Sequence, residues 1–326
     1  MRYRITLLLL TFALAAPPSF GQAVKISAGA PHPYASATPL TEARIFAEGV
    51  VSTADHEDSP GFDRDGRTAY WSYGLPILST IVFSRFRSGR WTEPEAASFS
   101  GRYHDRDPFV TPDGKRLYFC SRRPAPGSDR PKDDWDVWYV ERDEAGAWGE
   151  ARRLGPPVNT DADELYATQT ADGTLYFGSI RSGDWDLYRA EREGAGFGEP
   201  ENLGEAVNSK AWDFNPMIAP DERFVLFSSQ RPGGPGGINI YVSFRREGAW
   251  TPARQIGEKV NAGAWQYHPM LSPDGRYLFF CGGARGLGSR PLRRPVTYRE
   301  LIGNFRGPRN NAGNIYQIEL RALGIE

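Results

Sequence analysis

Residues 268–282 contain the clearest copy of a repeated unit, His268-Pro-Met-Leu-Ser-Pro-Asp-Gly-Arg-Tyr-Leu-Phe-Phe-Cys-Gly282. A second copy reads Asp107-Pro-Phe-Val-Thr-Pro-Asp-Gly-Lys-Arg-Leu-Tyr-Phe-Cys-Ser121. In both copies Pro-Asp-Gly separates two apolar runs, which is typical of a tight turn between antiparallel strands. Weaker copies occupy residues 59–72, 166–179 and 215–229. The sequence therefore repeats one strand–turn–strand unit five times, and we name its strands A and B.

Each unit continues with two further predicted strands. Strand C covers residues 81–83, 136–140, 186–188, 239–242 and 314–316, and strand D opens on Trp91, Trp148, Phe197 or Trp250. Four strands in about 50 residues are typical of one β-propeller blade. The last unit lacks its own strand D, but residues 40–52 align without gaps with residues 197–209. We therefore predict an all-β protein with a single propeller of five four-stranded blades over residues 40–326, closed by the N-terminal strand. Six blades are the alternative.

The unit resembles the TolB-like propeller repeats, WD-like repeats in which Ser-Pro-Asp-Gly precedes an apolar strand. That motif is Ser272-Pro-Asp-Gly275 here, and the resemblance covers about residues 40 to 320. It implies the propeller fold and a periplasmic binding role. A peptidase role does not carry over, because the sequence has no Gly-x-Ser-x-Gly elbow.

The charge balance and the N-terminal segment limit the classes of function that the sequence allows. The 39 basic residues nearly balance the 40 acidic ones, which argues against a nucleic-acid partner. Arg2 and Arg4 precede an apolar run over residues 5–16, and Ser19 and Gly21 suit a cleavage site. We predict a signal peptide over residues 1–21, a linker over 22–39 and a periplasmic or secreted monomer. No later segment is apolar enough to span a membrane.

Polar side chains gather just before strand A, whose start reaches one mouth of a propeller's central channel. We number positions backward from the residues that open the A strands, which are 60, 108, 167, 216 and 269. Position −3 holds Glu57, Asp105, Glu164, Asp213 and Gln266; position −1 holds Ser59, Asp107, Tyr166, Asn215 and His268; position −4 includes Trp212 and Trp265. We predict a ligand-binding mouth lined by Glu57, Asp105, Asp107, Glu164, Tyr166, Asp213, Asn215 and His268, with Trp212 and Trp265 as stacking surface. The alternative is that the carboxylates cap neighbouring loops.

Three of the four histidines fall in these positions: His56 of blade 1 and His104 of blade 2 stand at −4, and His268 of blade 5 stands at −1. His56, His104 and His268 are chemically suitable metal ligands, and with them the sequence predicts a divalent cation in the channel. No other cofactor is expected. Cys120 and Cys281 occupy equivalent strands of non-adjacent blades, so we predict two free thiols.

Arginines mark two further features. Arg122, Arg181, Arg231 and Arg285 follow strand B, and we predict that they brace the next turn. The connection from 284 to 313 carries seven arginines and one Glu, and it is either a basic lid for an anionic ligand or a solvated insertion.

Two functions follow from these patterns. The first is an exported, non-catalytic propeller that binds a protein segment or a saccharide at the acidic, His- and Trp-lined mouth. The alternative is a glycan-active enzyme, which needs two carboxyl groups roughly 5 to 10 Å apart.

Overall fold

The computed structural model describes residues 32–36, 38–75, 78–263, 265–283 and 312–325. The predicted signal peptide, most of the linker and the arginine-rich segment 284–311 lie outside these ranges. Within them the chain forms five antiparallel sheets of four or five strands, which are the blades of a propeller, and one small two-stranded sheet. The five-blade prediction is therefore confirmed and the six-blade alternative is wrong.

The strands are numbered along the chain. The first is β1 (Arg44–Ile45). Blade 1 comprises β2 (Glu57–Phe62), β3 (Thr68–Leu75), β4 (Leu78–Arg87), β5 (Arg90–Trp91) and β6 (Glu95–Ala96). Blade 2 comprises β7 (Asp105–Val110), β8 (Arg116–Ser121), β9 (Asp136–Glu141) and β10 (Arg152–Arg153). Blade 3 comprises β11 (Glu164–Gln169), β12 (Leu175–Ser179), β13 (Asp186–Ala190), β14 (Arg192–Glu193), β15 (Gly196–Phe197) and β16 (Glu201–Asn202). Blade 4 comprises β17 (Asp213–Ile218), β18 (Phe224–Ser229), β19 (Asn239–Arg246), β20 (Ala249–Trp250) and β21 (Arg254–Gln255). Blade 5 comprises β22 (Gln266–Leu271), β23 (Tyr277–Gly282) and β24 (Asn314–Glu319), followed by a 3-10 helix (Leu320–Leu323).

The N-terminal strand closes the ring as predicted. Strand β1 pairs antiparallel with β24, with Arg44 opposite Gln317 and Ile45 opposite Tyr316. It thereby supplies the fourth strand of blade 5 and covers an edge that would otherwise stay unpaired.

The predicted linker is too long at its C-terminal end. Tyr34 is 1% exposed and packs edge-on against Phe62, Tyr277 and Phe279. Burial of such a ring stabilises the fold by about 2–3 kcal/mol, so residues 32–36 belong to the propeller rather than to a spacer. Cys120 and Cys281 are buried free thiols, as predicted.

A β-bulge interrupts every A strand at the same place. In blade 1, Asp58 pairs with Ser72 and the next pair is Gly61 with Tyr70, so three residue steps along β2 match two along β3. The other four A strands show the same shift in register. The residue at −1 adopts positive φ in all five blades: Ser59 50°, Asp107 59°, Tyr166 53°, Asn215 53° and His268 51°. A bulge of this kind breaks the simple alternation of side chains along a strand. Consecutive side chains at −2 and −1 therefore need not point to opposite faces of the strand.

Candidate functional site

A polar cavity of about 270 Å³ lies where blades 1, 2 and 5 meet. Its lining consists of His56, Asp58, Ser72, Tyr73, Gly74, Ser79, His104, Arg106 and Tyr267. Asp58, Arg106 and Tyr267 are the −2 residues of the three blades, and they reach the cavity because of the bulge. Two of the three predicted metal-ligand candidates, His56 and His104, stand on its wall.

The Asp58–Arg106 ion pair is the electrostatic centre of the cavity. The Nη2 atom of Arg106 lies 3.6 Å from Asp58 Oδ2, and the Nε atom of Arg106 lies 3.3 Å from Asp107 Oδ1. Burial favours the neutral form of Asp58, but the positive charge of Arg106 acts together with His268 and the hydrogen bond from His56, and their combined effect holds the pKa of that carboxyl well below its usual range. Arg106 keeps 27% of its side chain exposed, so the pair presents both a donor and an acceptor to the cavity.

His56 and His104 flank this pair, and their pKa values shift in opposite directions. His56 Nε2 lies 3.1 Å from Asp58 Oδ2, and its Nδ1 donates to the Ala312 carbonyl. Because both ring nitrogens face acceptors, the imidazolium form is favoured, and the hydrogen bond to Asp58 raises the pKa of His56. Burial instead lowers the pKa of His104, whose ring packs edge-on against Trp135.

Four of the five −1 side chains, Ser59, Asp107, Tyr166 and His268, form one connected group across the blades. Ser59 Oγ donates to Asp107 Oδ1 at 2.6 Å and lies 2.9 Å from His268 Nδ1, which joins blades 1, 2 and 5. The Tyr166 ring stacks on His268 with centroids 5.1 Å apart, and its hydroxyl donates to the Pro269 carbonyl at 2.7 Å. Burial lowers the pKa of His268 to about 4, so it is a neutral hydrogen-bonding group at pH 7. These side chains therefore form a buried polar network that links blades 1, 2, 3 and 5.

The four −3 carboxylates do not line an open mouth, which corrects the main site prediction. Glu57, Asp105, Glu164 and Asp213 are 0% exposed. Each is bound by the loop before its A strand, and two also by the adjacent strand B: Glu57 to the Thr53 N–H at 3.0 Å, Asp105 to Ser100 at 2.8 Å and Ser121 at 2.6 Å, Glu164 to the Thr160 N–H at 2.9 Å and Ser179 at 2.9 Å, and Asp213 to the Ser209 N–H at 2.6 Å. Burial raises the pKa of Glu57 to about 7 and also raises the pKa of Asp105 and of Glu164. Their geometry is that of loop-capping groups, the alternative considered from the sequence.

Arginines after strand B brace three of these carboxylates. Each guanidinium donates to the −3 carboxylate of its blade: Arg123 to Asp105 at 2.8 Å, Arg181 to Glu164 at 3.2 Å and Arg231 to Asp213 at 2.7 Å. The brace in blade 2 is thus Arg123 rather than Arg122, whose guanidinium lies over the Trp135 ring at 4.7 Å instead. Arg285 lies outside the described residues.

The remaining predicted residues separate into two groups. Trp265 is half-buried with its ring 5.3 Å from that of Tyr267, and it therefore adjoins the cavity. Trp212 is 47% exposed on blade 4, and Asn215 is buried on the same blade; neither is part of the cavity lining.

The described residues contain no group of three or more His, Cys, Asp or Glu side chains placed to hold a metal ion. His268 lies 3.6 Å from Asp107 and 4.0 Å from Asp58, but Arg106 Nη2 also stands 3.5 Å from His268 Nε2. The guanidinium thus supplies the positive charge that these carboxylates need, in the position where a cation would otherwise be placed.

Sequence reasoning missed the −2 residues Asp58, Arg106 and Tyr267, because simple strand alternation turns −2 away from −3 and −1. A signal was present. The −2 position reads Asp, Arg, Leu, Phe and Tyr across the five blades, and that loss of repeat identity marks a position that the scaffold does not fix.

Comparisons with known proteins show the fold alone. No family model matches the chain, and no curated protein matches it. The α-L-arabinofuranosidase of Lactobacillus brevis has a similar structure, with a TM-score of 0.54 and 12% identity over 83% of this chain and 92% of that chain. A putative TolB of Agrobacterium tumefaciens gives a TM-score of 0.49 and 15% identity over 81% and 90%. TolB of Acinetobacter baumannii gives a TM-score of 0.46 and 16% identity. The match covers 81% of this chain but 54% of that protein. Within the described ranges, no helix has the length and apolar character required to cross a membrane.

Proposed function

We propose that the chain is an exported, non-catalytic propeller that binds the end of a saccharide in the cavity between blades 1, 2 and 5. One observation carries the proposal: Asp58 and Arg106 stand 3.6 Å apart on the cavity wall. Their charges largely cancel, yet one accepts and the other donates hydrogen bonds. A pair of neighbouring hydroxyl groups needs this combination, because each hydroxyl both donates and accepts.

The remaining lining suits a neutral, hydroxyl-rich ligand. Ser72, Ser79 and Tyr73 add hydroxyl groups, and the Tyr267 ring provides an apolar face. A volume of about 270 Å³ is small for a binding site and favours one sugar unit over a folded segment. A protein segment remains the second ligand class predicted for this face.

A glycan-active enzyme has weaker support. Glycosidic cleavage needs one carboxyl group that is protonated and another that is ionised, with both at the substrate. Asp58 is the single carboxylate among the described residues that line the cavity, and its lowered pKa keeps it ionised. Glu57 has the raised pKa of an acid, but it is fully buried behind the wall.

Calorimetric titration with a panel of cell-wall oligosaccharides tests the proposal. The protein is purified from an expressing culture, where an intact mass lacking residues 1–21 is expected. His104→Ala should weaken binding about tenfold, because it removes a wall of the cavity. His32→Ala is the matched control, since His32 packs on Tyr34 beside Asp274 of an A–B turn and is not part of the cavity lining. Cleaved sugar products would favour the enzyme, and equal loss in both variants would refute the site.

A further inference from the structure

Blades 2, 3 and 4 each carry an arginine at the same register near the end of strand C. It lies opposite the aromatic residue that opens strand D: Arg142 opposite Trp148, Arg192 opposite Phe197 and Arg245 opposite Trp250. The chain supplies a carboxylate to two of the three. Arg142 donates to Asp63 of blade 1, and Arg245 forms an ion pair with Glu222 of its own blade. Arg192 has no hydrogen bond or ion pair within the part of the chain that the structure describes.

The A–B turn of blade 3 lacks the glutamate that blade 4 uses. The N–H of Glu222 bonds to the carbonyl three residues earlier, and the N–H of Gly173 makes the same bond in blade 3, so the two residues are in register. Glu222 holds φ at 59°, in the left-handed region that favours glycine. The Arg192 side chain lies over Gly173, with its Cδ 3.2 Å from the point where a Cβ would stand. The space that a glutamate fills in blade 4 therefore adjoins Arg192 in blade 3.

The carboxylate that serves Arg142 has no counterpart beside Arg192 either. Asp63 and Thr111 are in register, because the N–H of each bonds to a carbonyl across its own A–B turn. Thr111 carries no charge, and its hydroxyl already donates to Asp113 at 2.6 Å. Neither of the two positions that provide a carboxylate elsewhere in the ring therefore provides one to Arg192.

A buried hydroxyl nearby also lacks an acceptor. Tyr176 of blade 3 donates its hydroxyl to Glu222, and the residue in register on blade 2 is Tyr118. Tyr118 is 0% exposed, and its oxygen receives Arg116 Nη1 at 3.2 Å and Gln169 Nε2 at 3.4 Å. Neither nitrogen can accept in return, because a guanidinium has donors only and the amide Nε2 also donates to a backbone carbonyl at 2.8 Å. Among the described residues the Tyr118 proton therefore has no acceptor, and a carboxylate would supply one.

A pocket of about 600 Å³ lies between blades 2 and 3, at the end of the A strands away from the saccharide cavity. Arg192, Lys115 and Gln169 are part of its lining. Three of its four acidic residues are already engaged: Glu141 by Arg116 and Arg152, Asp113 by Thr111, and Asp143 by the Ala147 N–H. The fourth, Glu144, is exposed. Lys115 and Arg192 outnumber it, and neither side chain is hydrogen-bonded or ion-paired within the described residues, so the unengaged charge of the pocket is positive.

We propose that this pocket binds the carboxylate of a glutamate side chain presented by a protein partner. The carboxylate takes the place that Glu222 holds in blade 4: it pairs with Arg192 and accepts the Tyr118 proton, while Lys115 attracts it. The chain's own example favours a side chain over a free anion, because Glu222 reaches the equivalent groups from a turn. A volume of about 600 Å³ exceeds that of one carboxylate and leaves room for the segment that carries it. The site is separate from the saccharide cavity and does not depend on it.

Titration of the full chain with N-acetyl-glutamate α-amide, followed by NMR, tests the proposal. The neutral isostere N-acetyl-glutamine α-amide should bind at least about tenfold more weakly, because it lacks the charge that Arg192 and Lys115 recognise. Arg192→Gln should weaken binding of the glutamate compound about tenfold, and Tyr118→Phe, which keeps the ring and removes the donor, about threefold. Arg246→Gln is the matched control, since Arg246 is an exposed arginine of blade 4 outside this lining, and it should leave the affinity unchanged.

Internal replacement of the ligand provides a second test. Gly173→Glu rebuilds the glutamate of blade 4 beside Arg192 and should abolish binding of the glutamate compound, with a thermal unfolding curve recorded to show that the variant is folded. A folded Gly173→Glu protein with undiminished binding would overturn the proposal, as would equal binding of the glutamate and glutamine compounds or an unchanged affinity in Arg192→Gln. Tighter binding of inorganic phosphate than of the glutamate compound would overturn it as well, because the pocket would then be a general anion site.

Discussion

The two arcs of the ring share one backbone and differ in the character of the residue at −2. In blades 1, 2 and 5 the bulge exposes Asp58, Arg106 and Tyr267 to the cavity. In blades 3 and 4 the same −2 position holds Leu165 and Phe214, and no part of the cavity lies there. The repeat therefore fixes where a site can form, and the residue at −2 is one of the variable residues that distinguish the arc with the cavity.

Removal of the central cation should have the largest effect. Arg106→Met leaves Asp58 and Asp107 close together without their shared counter-charge, and it should destabilise the protein by about 3 kcal/mol. The matched change at the same register in blade 4, Phe214→Met, should cost less than about 1 kcal/mol. Urea unfolding of both variants measures the difference.

A second substitution separates charge from shape. Asp58→Asn in the Arg106→Met background should recover part of the lost stability, because it removes one of the two unpaired charges. If Arg106→Met and Phe214→Met are equally mild, the ion pair does not distinguish the two arcs.

Acid should destabilise the buried network of −1 side chains through His268. Its pKa of about 4 in the folded state lies below the ordinary value of 6.5, so the unfolded chain binds a proton that the folded chain excludes. The contribution of His268 to the free energy of unfolding is therefore fully present above about pH 6.5. It falls as the pH drops toward 4, by up to about 3 kcal/mol. His268→Gln should flatten this slope in unfolding measurements made across the range.

His56 provides the contrast, because its pKa is raised. It stabilises the fold below the ordinary histidine pKa, and that contribution is lost as the pH rises through the raised value. His56→Gln should therefore destabilise the protein more at pH 5 than at pH 8.

If the stability of a His268→Gln protein falls in acid as steeply as that of the unchanged protein, groups other than His268 control the acid dependence.

The sequence was sufficient for the fold and for part of the site. The Pro-Asp-Gly turns and the alignment of residues 40–52 with 197–209 predicted five blades and the closing strand, because these are local signals repeated many times. The sequence could not decide whether the −3 carboxylates cap loops or line a mouth, because the answer depends on contacts with the loops. The cavity could not be predicted, because a one-residue bulge decides which side chains reach it.

The two tryptophans at −4 provide the finest test, because one lies on each arc. Trp265 adjoins Tyr267 and the cavity, whereas Trp212 is exposed on blade 4. If a saccharide extends from the cavity along the blade-5 aromatic surface, Trp265→Ala should weaken its binding about three- to tenfold, the range expected for one aromatic contact. Trp212→Ala should change the affinity by less than about twofold, because exposed side chains away from a site contribute little. Calorimetry with the same oligosaccharide compares the two variants. A larger loss for Trp212→Ala would place the ligand on the other arc, where the −2 residues are apolar, and the link between −2 identity and binding would then fail.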